Sequence, residues 1–170
     1  MRPVWKFQSF SGRPRIRVGK RFSLQGALLT SGQGQIVFGD DVIVDASTAL
    51  YTHSPEALIE VGHRSYLNGV RMGCFSLIQI GEDVLLADAR IMDTDFHAVS
   101  RRRTEGTQVI AHSPIRVENN VWIAGGSAVL KGVRVGQNAV IAFGSVVTKS
   151  VPPGRIFGGN PARDLGPVPD

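Results

Sequence analysis

From Val117 the chain divides into sixes without a break: VENNVW, IAGGSA, VLKGVR, VGQNAV, IAFGSV, VTKSVP. This period limits the fold more than any other feature. The opening residues are Val117, Ile123, Val129, Val135, Ile141 and Val147, all β-branched. The fifth residues, Val121, Ser127, Val133, Ala139, Ser145 and Val151, are always small or β-branched. A helix of period 3.6 would scatter these positions around its surface. A strand of period two would turn position three inward with position one, yet Asn119, Lys131, Gln137 and Lys149 stand there. A short strand followed by a corner every six residues satisfies the pattern. Three such sides close a triangular turn, and successive turns stack as parallel strands ~4.8 Å apart.

The period recurs upstream with interruptions. Phe38, Val44 and Leu50 open one run, Val61 and Leu67 a second, Ile80, Leu86 and Met92 a third, with Val18 and Leu24 farther back. Between runs the phase slips, as at Gly73–Gln79, as short loop insertions would cause. The chain therefore reads as a cap or loop over 1–17, a coiled domain over 18–151 interrupted by an excursion over 98–113, and a tail over 152–170.

Composition agrees with a turn-rich β protein. Of 170 residues 20 are glycine, 42% are hydrophobic and 19% charged, which excludes wholesale disorder. The single cysteine, Cys74, excludes an intramolecular disulfide framework and any multi-cysteine metal site. No apolar run reaches the roughly 18 residues of a spanning helix, and no secretory signal opens the chain. The expected location is cytoplasmic. The net charge of +5 gathers partly at Arg13, Arg15, Arg17, Lys20 and Arg21 and at Arg101–Arg103. No aromatic-basic interleaving accompanies these patches, which argues against nucleic acid; a solvated face, an anionic membrane surface or a phosphorylated ligand stay open.

With these residues in view, Val18–Arg163 resembles the hexapeptide-repeat acyltransferases. The match is densest from DTDFH at Asp93–His97, through NVWI and SVVTK, to the PP turn and NPAR ending at Arg163. The resemblance implies an all-β fold, the left-handed parallel β-helix. It also implies a homotrimer with active sites in the clefts between neighbouring prisms, acetyl-CoA as co-substrate, no metal, and a carbohydrate acceptor. Within it, His97 is the catalytic base and the Gly125 backbone N–H the donor to the oxyanion. Trp122, Gly125, Gly126, Ala142, Phe143, Thr148, Lys149 and Arg163 fall on the acetyl-CoA side. Asn68, Asp93, Asp95 and Arg101 fall on the acceptor side, with Asp93 or Asp95 also placed to orient the imidazole. An imidazole of pKa near ~6.5 suits removal of a hydroxyl proton at neutral pH. Ala124 and Phe143 depart from the family's usual Gly and Ala.

Two other readings compete. One is a scaffold that kept the repeat and lost catalysis. The other is a γ-type carbonic anhydrase, which needs a close histidine pair; His53, His63, His97 and His112 provide none.

Overall fold

The computed structural model describes residues 12–106 and 109–169. Among them are twenty strands and no helix. The strands form three sheets, each one face of a prism, and the chain visits the faces in rotation. The first face holds β1 (Arg15–Val18), β4 (Gln35–Phe38), β7 (Leu58–Val61), β10 (Leu77–Ile80), β13 (Ile115–Val117) and β16 (Arg134–Val135). The second holds β2 (Ser23–Leu24), β5 (Ile43–Asp45), β8 (Tyr66–Asn68), β11 (Leu85–Ala87), β14 (Trp122–Ile123), β17 (Val140–Ile141), β19 (Arg155–Gly159) and β20 (Ala162–Pro167). The third holds β3 (Ala27–Gly32), β6 (Ser47–Thr52), β9 (Arg71–Cys74), β12 (Arg90–Met92), β15 (Ala128–Leu130) and β18 (Val146–Val147). Every pairing between these strands is parallel except that of β19 with β20. This is the parallel β-helix expected from the period.

The repeat is written in the burial. Val117, Ile123, Val129, Val135, Ile141 and Val147 are all at or below 2% exposure. They stack in register, Ile123 between Leu86 and Ile141, and Val129 between Ile91 and Val147. Each such side chain contributes roughly 1.5–3 kcal/mol by leaving water. The fifth position is also closed, and where it is serine the hydroxyl is used: Ser127 and Ser145 both donate to the Ala142 carbonyl. The fourth position turns the corner with positive φ, at Asn120, Gly126, Gly132, Asn138 and Gly144 (54° to 77°). Glycine takes that conformation without a Cβ penalty, and asparagine at a smaller cost than most other residues.

The structure revises the reading in three places. Ile91, not Met92, is the inward residue of its coil, because Ile91 pairs with Val129 while Met92 pairs with Leu130 on the outer surface. β1 already pairs with β4 from Arg15, so the coil begins ahead of Val18; residues 1–11 of the expected cap lie outside the described residues. Beyond Pro152 the chain forms β19, which extends the second face, and β20, which folds back on it.

Candidate active site

The excursion leaves the prism at the corner between the third and first faces. Its neck is tied by backbone hydrogen bonds, Asp95 N–H to the Ala111 carbonyl and Ser113 N–H to the Asp93 carbonyl, and Thr94 bridges His112. His97 lies just past this neck, exposed, and its side chain makes no hydrogen bond among the described residues. Phe96, the residue before it, packs edge-on against His53 with ring centroids 4.8 Å apart. Gly73 makes this contact possible: a Cβ there would stand 2.5 Å from Phe96 Cζ, 2.8 Å from Met92 Sδ and 3.2 Å from His53 Nε2. Burial pushes the His53 pKa down against the pull of Asp93, so its imidazole is neutral at pH 7.

Asp93 does not face an acceptor or the imidazole of His97. It is 0% exposed, and its carboxylate caps the turn between β9 and β10. Oδ1 accepts from Phe75 N–H at 2.6 Å, while Oδ2 accepts from Ser76 N–H at 2.7 Å, Ser76 Oγ at 2.9 Å and Leu77 N–H at 2.9 Å. A buried carboxylate must be hydrogen-bonded, and these backbone donors meet that demand. Asp95 receives a hydrogen bond from Lys131 Nζ at 2.6 Å, which fixes the neck to the turn after β15. Arg101 is exposed in the outer part of the excursion. Asn68, on the outer surface of the second face, donates to Tyr66 Oη at 3.2 Å, and Tyr66 donates to Asp45 at 2.9 Å. That ladder ties successive coils together.

The residues read as a donor site fall into two groups. Trp122 is 49% exposed on the second face, in register between Leu85 and Val140. Ala142 and Gly158 lie on the same face beside each other, a Cβ at Gly158 meeting that of Ala142 at 3.2 Å, and Arg163 pairs with Gly158 across the terminal hairpin. Gly125 and Gly126 form the corner to the third face. Phe143 is 81% exposed and leans over Gly125, whose added Cβ would lie 3.2 Å from Phe143 Cε2. The Gly125 N–H is bonded to no described residue, while its carbonyl accepts from Gly144. The narrow track of small residues beside a flat indole, ending at a free N–H, fits an extended pantetheine arm and a thioester carbonyl. Thr148 and Lys149 are elsewhere. They follow β18, exposed at the same corner as His97.

Within one chain the two groups lie at opposite edges of the third face. Gly125 precedes β15, His97 follows β12, and these strands are neighbours. A three-residue strand at ~3.3 Å per residue separates their corners by about 10 Å.

A groove of about 1070 Å³ along the first face is built from side chains already tied together. Arg116 donates to Gln79, Gln79 to Glu60, and Arg134 to Glu118. His63 accepts from the Asp40 N–H at its rim, and His112 stacks on Phe75 at 4.4 Å. A second groove, about 360 Å³, opens on the third face beside Phe96 and includes His53, Arg71 and Arg90. These three residues, and Gly73 and Lys131, were not foreseen as site residues. A coil stride near 18 residues, applied to the outward positions, was the signal that could have brought them together.

The sequence profile described as bacterial transferase hexapeptide (six repeats) matches residues 114–149. Nodulation protein L of Rhizobium meliloti (strain 1021) is 39% identical over 113 residues, 64% of this chain and 59% of that protein. The chain thus spans about three fifths of the length of this curated relative. Among solved structures, the polySia-specific acetyltransferase NeuO superposes with a TM-score of 0.61 at 21% identity, covering 90% of this chain and 87% of that one. A hexapeptide-repeat-containing acetyltransferase of Vibrio cholerae O1 biovar eltor, complexed with acetyl coenzyme A, gives 0.55 at 25% identity, covering 92% and 70%. A maltose O-acetyltransferase from Clostridium difficile 630 gives 0.56 at 23%, covering 89% and 69%. In its six-residue period and three-sided coil the chain carries the bacterial transferase hexapeptide repeat over residues 114–149 and is similar in fold to these acetyltransferases.

Proposed function

We propose that the protein is an acetyl-CoA-dependent O-acetyltransferase acting on a carbohydrate hydroxyl, assembled as a homotrimer with its active sites between copies. The observation that carries this reading is the exposed His97 at the neck of the excursion, facing no internal partner among the described residues, on a coil whose opposite corner offers the free N–H of Gly125. The relatives supply the chemistry: three of the similar solved structures are acetyltransferases, one of them holding acetyl coenzyme A.

In this reading His97 takes the proton of the sugar hydroxyl as its oxygen attacks the thioester carbonyl. The Gly125 N–H receives the negative charge that develops on the carbonyl oxygen, a contact whose loss costs roughly 10²–10³ in rate elsewhere. When the carbon–sulfur bond breaks, the imidazolium returns the proton to the departing thiolate, so the base is regenerated each turn. Because His97 and Gly125 sit at opposite edges of the third face in one chain, the second wall comes from a neighbouring copy, whose Gly125 corner meets the His97 corner of the first. Trp122, Ala142 and Phe143 then line the donor track of one copy, and Thr148 and Lys149 reach it from the other, with the ammonium near the donor's phosphates. Lys131 positions the neck by holding Asp95. Burial and the nearby Asp93 carboxylate raise the Cys74 thiol well above its usual range, which leaves it no role as a nucleophile.

The test is release of free CoA thiol from acetyl-CoA across a panel of sugars. His97→Ala is expected to lower kcat by roughly 10²–10⁴ with an unchanged circular dichroism spectrum and assembly size. Near wild-type turnover in that variant would remove His97 from the chemistry.

A further inference from the structure

The outward side chains of the third face fall into columns fixed by the coil register. One column runs Ala49, Arg71, Arg90, Ala128, and the next runs Tyr51, Gly73, Met92, Leu130. Arg71 and Arg90 therefore stand on adjacent parallel strands with backbones ~4.8 Å apart. Like charges set against each other in this way repel, and four arginines elsewhere at strand and corner positions meet a carboxylate. Arg21 meets Asp41, Arg64 meets Asp83 and Glu82, Arg134 meets Glu118, and Arg155 meets Asp164. The third face has no such answer. Its six strands contain no aspartate or glutamate, and neither Arg71 nor Arg90 has an acidic partner among the described residues. Arg71 is instead held over the Tyr51 ring, 5.2 Å from its centroid.

The two guanidinium groups share a groove of about 360 Å³ with Tyr51, His53, Met92 and Phe96, a size within the roughly 300–1,000 Å³ of small-molecule sites. Apolar ring surface with two convergent cations matches a sugar bearing a negative charge. The groove begins at Phe96, next to His97. The groove lies on β6, β9 and β12, on the side of His97 away from β18 and the Lys149 assigned to the donor's phosphates, so an anion bound here belongs to the acceptor.

We propose that this groove selects an anionic acceptor: Arg71 and Arg90 hold a carboxylate or phosphate carried by the sugar, while Tyr51 and Phe96 cover its ring. The inference rests on the transferase reading above and narrows its substrate class. Guanidinium forks match both oxyanions bidentately, so the source is separated by the assay.

The test compares a neutral hexose, the matching uronic acid and the hexose 6-phosphate as acceptors for the full-length protein, alongside R71Q, R90Q and the double variant. The wild type should prefer one of the charged acceptors in kcat/KM, and which one identifies carboxylate or phosphate. Each single variant should lower the ratio of charged to neutral kcat/KM by roughly 10-fold to 100-fold, the range of a lost charged hydrogen bond. A ratio unchanged in the variants overturns the proposal. So does dissociation of the assembly in R71Q or R90Q, which would put these arginines in a contact between copies. Calorimetric titration with acetyl-CoA separates the two readings: a wild type that does not bind it contradicts the transferase, whereas binding without charge preference contradicts the groove alone.

Discussion

Replacing Asp93 with asparagine tests whether this carboxylate holds the coil or the reactants. The side chain is isosteric but carries one acceptor oxygen instead of two. The amide oxygen will take the Oδ2 place, where it keeps the bonds from Ser76 N–H, Ser76 Oγ and Leu77 N–H. The NH₂ group then faces the Phe75 N–H across the former 2.6 Å bond. One charge-assisted hydrogen bond is lost, about 1.5–3 kcal/mol, and one buried donor is left against another, about 1–3 kcal/mol. Removing a buried charge offsets part of this, so the net loss is roughly 2–4 kcal/mol. Urea unfolding at pH 7 followed by circular dichroism should show a midpoint lower by roughly 1–2 M for a slope of about 2 kcal/mol/M. The folded variant should retain turnover within about tenfold, because its effect on His97 passes only through the neck. A variant with wild-type stability and turnover reduced 100-fold would mean that the carboxylate acts on the reactants, and the structural argument would be wrong.

Gly73→Ala forces a Cβ to within 2.5 Å of Phe96 Cζ; it should cost about 1–3 kcal/mol as an overpacked site and lower kcat by displacing the residue beside His97, measured by unfolding and initial rates together. Asp41, Asp83, Glu118 and Asp164 have folded-state pKa values below their ordinary ones: Arg21, Arg64 and Arg155 donate to Asp41, Asp83 and Asp164, and the Gln137 N–H, then Arg134, to Glu118. Their stabilising contribution is fully present above the unfolded pKa of about 4 and is lost as pH falls through the folded values. Thermal melts should therefore decline gently below about pH 6.5, where the unfolded chain protonates His53 more readily than the folded one, and fall further below about pH 4; a melting temperature that rises on acidification would contradict these pairings.

What could be read in the sequence was whatever repeats. Val117 through Val147 declare their inward position because the coil demands one apolar side chain per side, and Ser127 and Ser145 declare the tight corner. The fourth-position residues Asn120, Gly126, Gly132, Asn138 and Gly144 carried an equally regular message, positive φ, but it is a backbone requirement met by two chemically unlike residue types. Asp93 was legible as part of a motif and misread in its task, since its partners at Phe75–Leu77 become neighbours only when the coil closes. The groove of Arg71, Arg90, Tyr51 and His53 was hidden for the same reason: residues a full turn apart meet on the outer surface, where no hydrophobic pattern marks them. Met92 was placed inward because the slip between runs shifted the count by one residue.

The central claim is that one active site takes His97 from one copy and Gly125 from another. His97→Ala and Gly125→Val are each expected to be inactive, the second by filling the donor track beside Phe143. Unfolding the two together in equal amounts and refolding them as mixed trimers should restore about a quarter of wild-type CoA release, because in a cyclic trimer one interface in four then pairs an intact His97 with an intact Gly125. Mixed assemblies of confirmed composition that stay inactive would contradict a site shared between copies.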